Sequence, residues 1–169
     1  DVQIDLMTRL PVTGFVGMAS YLDVIADKAR ERGLHLHRDF RLRKAFVAAE
    51  RLPESLRQKV QDAFAMTIRQ GYGTADVGCI AYECAALTGM HTSSRGIVEI
   101  CEPGTGRPLP AGEVGEVVFT PFADAYPLIR LATGDLSKCD EKPCPCGRTS
   151  PLLAGILGRV DDTAKVKGQ

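Results

Sequence analysis

The sequence has no excess of charge of either sign. Lys plus Arg number 21 and Asp plus Glu number 21, so the formal net charge is +0. A chain without a basic or acidic field gives no reason to expect nucleic acid or an anionic membrane as partner. Nor is there an apolar run near the roughly 20 residues that a membrane helix needs. No secretory segment is visible, and there is no internal repeat or low-complexity tract. Cysteine is missing from the first 78 residues; all six lie at positions 79, 84, 101, 139, 144 and 146. Without a secretory segment, these thiols are expected to be reduced, in a cytoplasmic protein, with a metal site as one use for them. What remains is ordinary for a globular chain: 169 residues, 44% hydrophobic and 25% charged, enough for one good-sized domain or two small ones. The opening Asp1-Val2-Gln3-Ile4 is not a typical start, and the chain is expected to begin inside a longer one.

The first half reads as α/β. Ser20 to Arg32 places Tyr21, Leu22, Ile25 and Ala29 on one helical face, with Ser20 as cap and Gly33 as stop. Ala45–Ala49 is a short apolar run of buried-strand type. Pro53-Glu54-Ser55 opens a second helix carrying Leu56, Val60, Ala63 and Phe64, and Met66 to Arg69 returns as a strand. Strand–helix–strand order predicts a parallel sheet. After Gly78 the texture changes: strands at 96–100, 115–120, 128–131 and 134–136 are separated by turns rich in Gly and Pro. The expected fold class is therefore α/β: a parallel-sheet subdomain over 1–90, then a small antiparallel β-barrel-like subdomain over 91–160.

The hexapeptide Gly71-Tyr72-Gly73-Thr74-Ala75-Asp76 follows a strand. An aromatic face can stack on a base, a hydroxyl can meet phosphate, and a carboxylate can hold a divalent cation. A glycine-rich turn with a capping Asp would read the same way.

Other segments, in order along the chain, sharpen that choice. AFVAAERLPESLR (45–57) resembles a stretch that runs Ala-Phe-x-Gly-Gly-Glu-Pro-Leu-Pro in adenylate-forming enzymes. GRPLPAGEVGEVVFT (106–120) resembles a strand pair of the same enzymes, PLIRLATGD (127–135) their PLIRYRTGD, and GRVDDTAKVKG (158–168) their hinge motif. The whole chain thus resembles phenylacetate–CoA ligases and related AMP-binding synthetases.

The resemblance implies the fold of their N-terminal domain and an ATP-dependent carboxylic acid–CoA ligase that forms acyl-AMP and then acyl-CoA. Its substrates would be ATP, an aryl acid and CoA, with Mg²⁺ as cofactor; a homodimer is left open. It assigns Tyr72 to the adenine, Gly73 to the nucleotide turn, and Thr74 to phosphate. Asp76, where the family usually has Glu, is assigned to Mg²⁺ with Thr74 as the catalytic pair, Asp135 to the ribose, Arg159 to ribose and phosphate, and Asp161 to the hinge. Ala48-Ala49 stand where the family often has Gly-Gly, and Leu131-Ala132 replace Tyr-Arg. The phosphate loop is expected upstream of residue 1 and the adenylation lysine downstream of Gln169, so 161–169 would lead to a C-terminal domain, and these 169 residues alone are expected to be inactive. Phe15, Tyr21, Ile80, Ala81 and Tyr82 are candidates for the acyl pocket wall.

Cys144-Pro145-Cys146-Gly147 has the look of a metal-binding turn, although C-x-C is tighter than the usual zinc spacing. With Cys84 and His91 it would make a Cys₃His tetrahedron for structural Zn²⁺, with Cys79 and Cys139 in reserve; ordinary reduced thiols are the other reading. Cys101 is expected in the core, and His35 and His37 at the surface. The alternative to a ligase is a non-catalytic, zinc-stapled binding module, for which a C-terminal hinge would have no use.

Overall fold

The computed structural model describes residues 2–162. The chain divides into two compact units, Asp1–Gln70 and Gly71–Gln169. The first is α/β: α1 (Val2–Arg9), β1 (Gly14–Gly17), α2 (Ala19–Glu31), α3 (Leu36–Asp39), β2 (Lys44–Val47), α4 (Glu54–Phe64) and the first half of β3 (Thr67–Thr74). β1 pairs with β2 and β2 with β3, both parallel, as two helical crossovers require. Val60, Leu22, Ala26 and Ile68 have no exposed surface, and α2 and α4 pack against each other. Each fully buried Val, Leu or Ile side chain contributes roughly 1.5–3 kcal/mol of transfer free energy.

Two local details differ from the sequence reading. Ser20 does not cap α2. It sits inside the first turn, where its backbone N–H and its hydroxyl both donate to the Glu50 carboxylate, each at 2.7 Å. Glu50 thus puts an anion at the positive end of the helix, where the macrodipole favours one. Tyr21 is 44% exposed and donates to Gln3 Oε1 at 2.6 Å, while Ala26 takes the buried place on the helix face.

The second unit is antiparallel. The rest of β3 pairs with β4 (Gly78–Glu83), β4 with β5 (Met90–Thr92), β5 with β10 (Leu152–Leu153), and β10 with β9 (Cys139–Asp140). A separate sheet runs in the order β11 (Gly158–Arg159), β8 (Leu131–Ser137), β7 (Gly115–Pro121), β6 (Gly96–Cys101). The strand expected at 128–131 is a turn instead: Arg130 has φ 53, and the strand starts at Leu131. Arg130 is held there by Glu99 (3.1 Å) and by the Gly106 carbonyl (2.7 Å). Cys101 is fully buried as expected, and His35 and His37 are exposed. No described helix is long and apolar enough to cross a membrane.

Candidate nucleotide site and a thiol–imidazole cluster

The hexapeptide is more strand than loop. Gly71 to Thr74 continue β3, and only Ala75–Val77 form the turn into β4. The pairing shifts register between Tyr72 and Gly73, a bulge that re-aims the side chains on either side. Gly73 is required there, because a Cβ would collide with the Gly78 carbonyl and lie 3.0 Å from Cys79 Cα. The Thr74 hydroxyl is buried with no hydrogen-bond partner among the described residues. Buried hydroxyls are ordinarily satisfied, so an orphaned one at the turn is a feature a ligand oxygen would complete. Asp76 is exposed at the tip of the same turn. A hydroxyl and a carboxylate are hard oxygen donors of the kind that suit Mg²⁺ and its phosphate ligands.

Tyr72 is 8% exposed and belongs to the core of the second unit with Ile80, Val117 and Phe119. Its hydroxyl lies 3.0 Å from Asp135 Oδ2 and 3.1 Å from Thr133 Oγ1. A phenol has one proton, and the carboxylate is the stronger acceptor. Burial pushes the Tyr72 phenol well above its ordinary value, and the Asp135 charge adds to the effect. The tyrosine is therefore a permanent donor that fixes one oxygen of Asp135.

The other oxygen is fixed by Arg159. β11 sets Arg159 opposite Asp135 in register, and Nη1 donates to Oδ1 at 2.8 Å. This pairing raises the Arg159 guanidinium further above its already high value, first through the hydrogen bond and then through the charge. Between them, the Thr133-Gly134 backbone is shaped by two contacts that sequence reasoning missed. Thr133 Oγ1 donates to the Val117 carbonyl at 2.9 Å, and the Gly134 N–H donates to Glu116 Oε1 at 2.9 Å. Gly134 has φ 74, and a Cβ there would lie 3.0 Å from Arg159 Nη2. Only glycine both adopts that backbone and leaves room for the guanidinium. Glu116 carried a signal of sorts: it is the one charged residue in the strand run GEVVFT.

Asp161 is exposed near the end of the described chain, two residues after β11. Residues 163–169, the remainder of the expected hinge segment, lie outside the described residues. Two residues expected on an acyl pocket wall, Ile80 and Ala81, have no exposed surface; they are core of the second unit. An open depression of about 630 Å³ on the first unit is lined by Arg30, Leu36, His37, Lys59 and others, and contains none of the motif residues.

The four residues singled out for a metal come together. Cys84, just after β4, His91 in β5, and Cys144 and Cys146 in the loop before β10 have their Sγ and ring nitrogen atoms within 4.8 Å of one another. Cys84 Sγ and Cys144 Sγ are 3.6 Å apart, and Cys146 Sγ is 3.2 Å from His91 Nε2. The other imidazole nitrogen, Nδ1, lies 3.1 Å from Ser150 Oγ. Cys79, Cys101 and Cys139 stand outside the cluster.

Comparison with known proteins places the first 120 residues in a family. Residues 1–120 match the model of the AMP-binding enzymes. The chain belongs to that family. Phenylacetate–coenzyme A ligase of Thermus thermophilus is 34% identical over 154 residues, covering 88% of this chain and 34% of the relative. The ligase of the same name from Pseudomonas putida is 30% identical over 156 residues, with 88% and 34% covered. The chain thus spans about a third of the length of the curated relatives it matches. Among solved structures, 2-hydroxyisobutyryl-CoA ligase in an open conformation, in complex with 2-HIB-AMP and CoA, superposes with TM-score 0.86 at 27% identity, over 95% of this chain and 36% of that one. The ATP-bound RpMatB-BxBclM chimera B1, at 19% identity and TM-score 0.66, shares the fold over 96% of this chain and 33% of that one. The parallel α/β unit followed by antiparallel sheets is the architecture of these AMP-binding enzymes.

Proposed function

We propose that this chain is part of an AMP-forming acid–CoA ligase of the phenylacetate–CoA ligase type, and that the second unit supplies its ribose and phosphate contacts. The observation that carries the reading is the Tyr72–Asp135–Arg159 arrangement. One carboxylate, 15% exposed, is held by a neutral donor on one oxygen and a cation on the other. Such a fixed carboxylate is the group expected to accept hydrogen bonds from ribose hydroxyls. Membership of the AMP-binding family and the names of the relatives support the same conclusion.

In this reading the acid's carboxylate attacks the α-phosphorus of ATP, pyrophosphate leaves, and the thiol of CoA then displaces AMP to give the thioester. The acid is an aryl acid, in keeping with the name of the phenylacetate–CoA ligases. Both steps depend mainly on orientation and on neutralising phosphate charge. Asp135 orients the ribose, Thr74 Oγ1 donates to a phosphate oxygen, and Arg159 supplies positive charge beside both. Tyr72 is assigned to the adenine, as in the resemblance, and its hydroxyl positions Asp135. Mg²⁺, held by Asp76 at the turn tip, would neutralise the triphosphate and improve pyrophosphate as a leaving group. Asp161 acts as the hinge between the two half-reactions. Neither nucleic acid nor membrane enters the scheme, and the enzyme works in the cytoplasm, with homodimer formation not required by the chemistry.

The alternative, a non-catalytic binding module, is disfavoured by the unsatisfied Thr74 hydroxyl and by the Asp135 geometry, neither of which a passive sheet needs. The test is ATP- and acid-dependent pyrophosphate release by the full-length protein over a panel of aryl and aliphatic acids. Acid-dependent release with CoA-dependent thioester formation supports the ligase. Absence of release with every acid, in protein that is folded and binds no ATP, would leave the binding module. The 169 residues alone are expected not to turn over.

A further inference from the structure

We propose that Cys84, His91, Cys144 and Cys146 hold a structural zinc ion that staples the β4–β5 hairpin to the loop preceding β10. The proposal does not depend on the ligase reading.

The four donor atoms are close enough together for one tetrahedral ion to gather them. With Zn–S about 2.3 Å and Zn–N about 2.0–2.1 Å, the edges of a Cys₃His tetrahedron are about 3.6–3.8 Å. The Cys84–Cys144 sulfur separation of 3.6 Å is of that size, the Cys146–His91 separation of 3.2 Å is a little shorter, and all four donor atoms lie within 4.8 Å of one another. A disulfide would need about 2.0 Å. The donor set also selects the metal: thiolates with one imidazole at tetrahedral spacing suit zinc, whereas hard cations take oxygen.

The surroundings are those of a built site. His91 has no exposed surface, and Nδ1 facing the Ser150 hydroxyl can carry the ring proton. Nε2 is then left as a lone pair directed into the cluster, the usual division of labour for a metal-bound histidine. Two groups temper the sulfur charge: the Ala86 N–H donates to Cys84 Sγ at 3.3 Å, and Thr88 Oγ1 lies 3.5 Å from Cys144 Sγ. Three thiolates and one Zn²⁺ leave one net negative charge (−3 + 2), and Arg148 Nη1 stands 3.5 Å from Cys146 Sγ to meet it. Gly147, at φ 86, turns the backbone after Cys146 and donates its N–H to the Cys144 carbonyl at 3.0 Å.

The region also has little apolar core of its own. Between β9 and β10, residues 141–151 contain no strand or helix, and the flanking strands are two residues each. The local apolar cluster consists of Cys84, Cys144 and Leu152, with Ala86 and Cys146 beside them. So small a core cannot order the 141–151 loop by burial alone; small cores of this kind are ordinarily completed by a disulfide or a metal. All four positions of the tetrahedron are filled by protein, which makes the ion structural rather than catalytic. Its binding energy is then folding energy.

The test is metal analysis of the full-length protein purified without chelator, followed by replacement of the bound metal with Co²⁺. About one zinc per chain, with the visible bands of tetrahedral Co²⁺ and thiolate-to-metal charge transfer after replacement, is the expected result. Cys144→Ser and Cys146→Ser should each lose zinc and melt at lower temperature, while Cys79→Ser keeps its zinc. Should either serine variant fail to fold, the wild-type cobalt spectrum still decides. Metal-free protein whose six thiols all titrate in the native state overturns the proposal. So does a Cys84–Cys144 disulfide found by mass spectrometry, or zinc that survives in the Cys144→Ser and Cys146→Ser variants.

Discussion

Arg159 faces Asp135 across the β11–β8 pair, with guanidinium and carboxylate 2.8 Å apart, and Tyr72 holds the carboxylate's other oxygen at 3.0 Å. The Arg159 side chain is 51% exposed. An ion pair that open to water adds little to stability, because solvent screens the charges and two side chains must be held still. Arg159→Ala should therefore leave the melting temperature nearly unchanged and raise the KM for ATP several-fold in the full-length enzyme. Thermal melting and ATP kinetics on the same preparation check this; a large fall in melting temperature with unchanged KM would make Arg159 a structural residue.

Tyr72→Phe keeps the ring and removes the hydroxyl. The lost hydrogen bond to a charged group should cost roughly 1.5–3 kcal/mol, read by denaturant unfolding. Because Asp135 would lose its orientation, the KM for ATP should rise with it. A second readout follows from the raised phenol. Its folded value lies above the ordinary 10.0, so the stability it contributes is complete below about pH 10 and is lost as pH climbs through the folded value. The wild-type protein should lose stability above about pH 10 more steeply than Tyr72→Phe. Equal alkaline slopes would show that the phenol is not held as described.

Gly134→Ala tests the loop between Thr133 and Asp135. The backbone at φ 74 costs an L-residue roughly 1–2 kcal/mol. The new methyl would also push the Arg159 guanidinium away. Lower stability together with weaker ATP binding is expected; a drop in stability alone would mean that Arg159 has room elsewhere and that Gly134 serves only the turn.

Ala49 is at φ 70, where the family often has glycine. Ala49→Gly relieves the left-handed strain but frees the unfolded chain, for a net gain of up to about 1 kcal/mol. Chemical denaturation should show a higher midpoint with an unchanged slope. A lower midpoint would refute the strain.

The helices and buried strands of the first unit were legible because their apolar residues recur at helical spacing or in short β-branched and aromatic runs. The metal-type residues were legible as well. Cys144 and Cys146 already stand one residue apart in sequence before a glycine, and thiols crowded into one half of the chain raise a metal as one use for them. The rest was not legible, for identifiable reasons. Ser20 had the chemistry of a cap, but the group that meets the helix end is Glu50, far along the chain, and no local pattern reports that distance. Leu128-Ile129 looked like strand by composition, but Arg130 turns left-handed because Glu99 and the Gly106 carbonyl hold it. Tyr72 read as a stacking face for a base, and the sequence did not report that its residue is only 8% exposed or that its hydroxyl meets Asp135, far along the chain. Burial and register of this kind arise from pairing between distant segments.

Asp161→Pro bears on the proposed hinge. Proline fixes φ near about −65°, so in the full-length enzyme one half-reaction should stay close to wild type and the other should slow. Separate assays of acyl-AMP formation and of thioester formation from preformed acyl-AMP distinguish the two. Equal loss in both, in folded protein, would remove the hinge assignment.

Asp135, held by Tyr72 and Arg159, is the residue on which the proposed ribose contact of ATP depends. The measurement that meets it most directly is the KM for ATP in pyrophosphate release by the full-length enzyme, wild type against Asp135→Ala. A rise of about 10-fold or more, matching roughly 1.5–3 kcal/mol of lost hydrogen bonding to a charged group, is the predicted result. Unchanged ATP kinetics in a folded Asp135→Ala enzyme would contradict the ribose assignment.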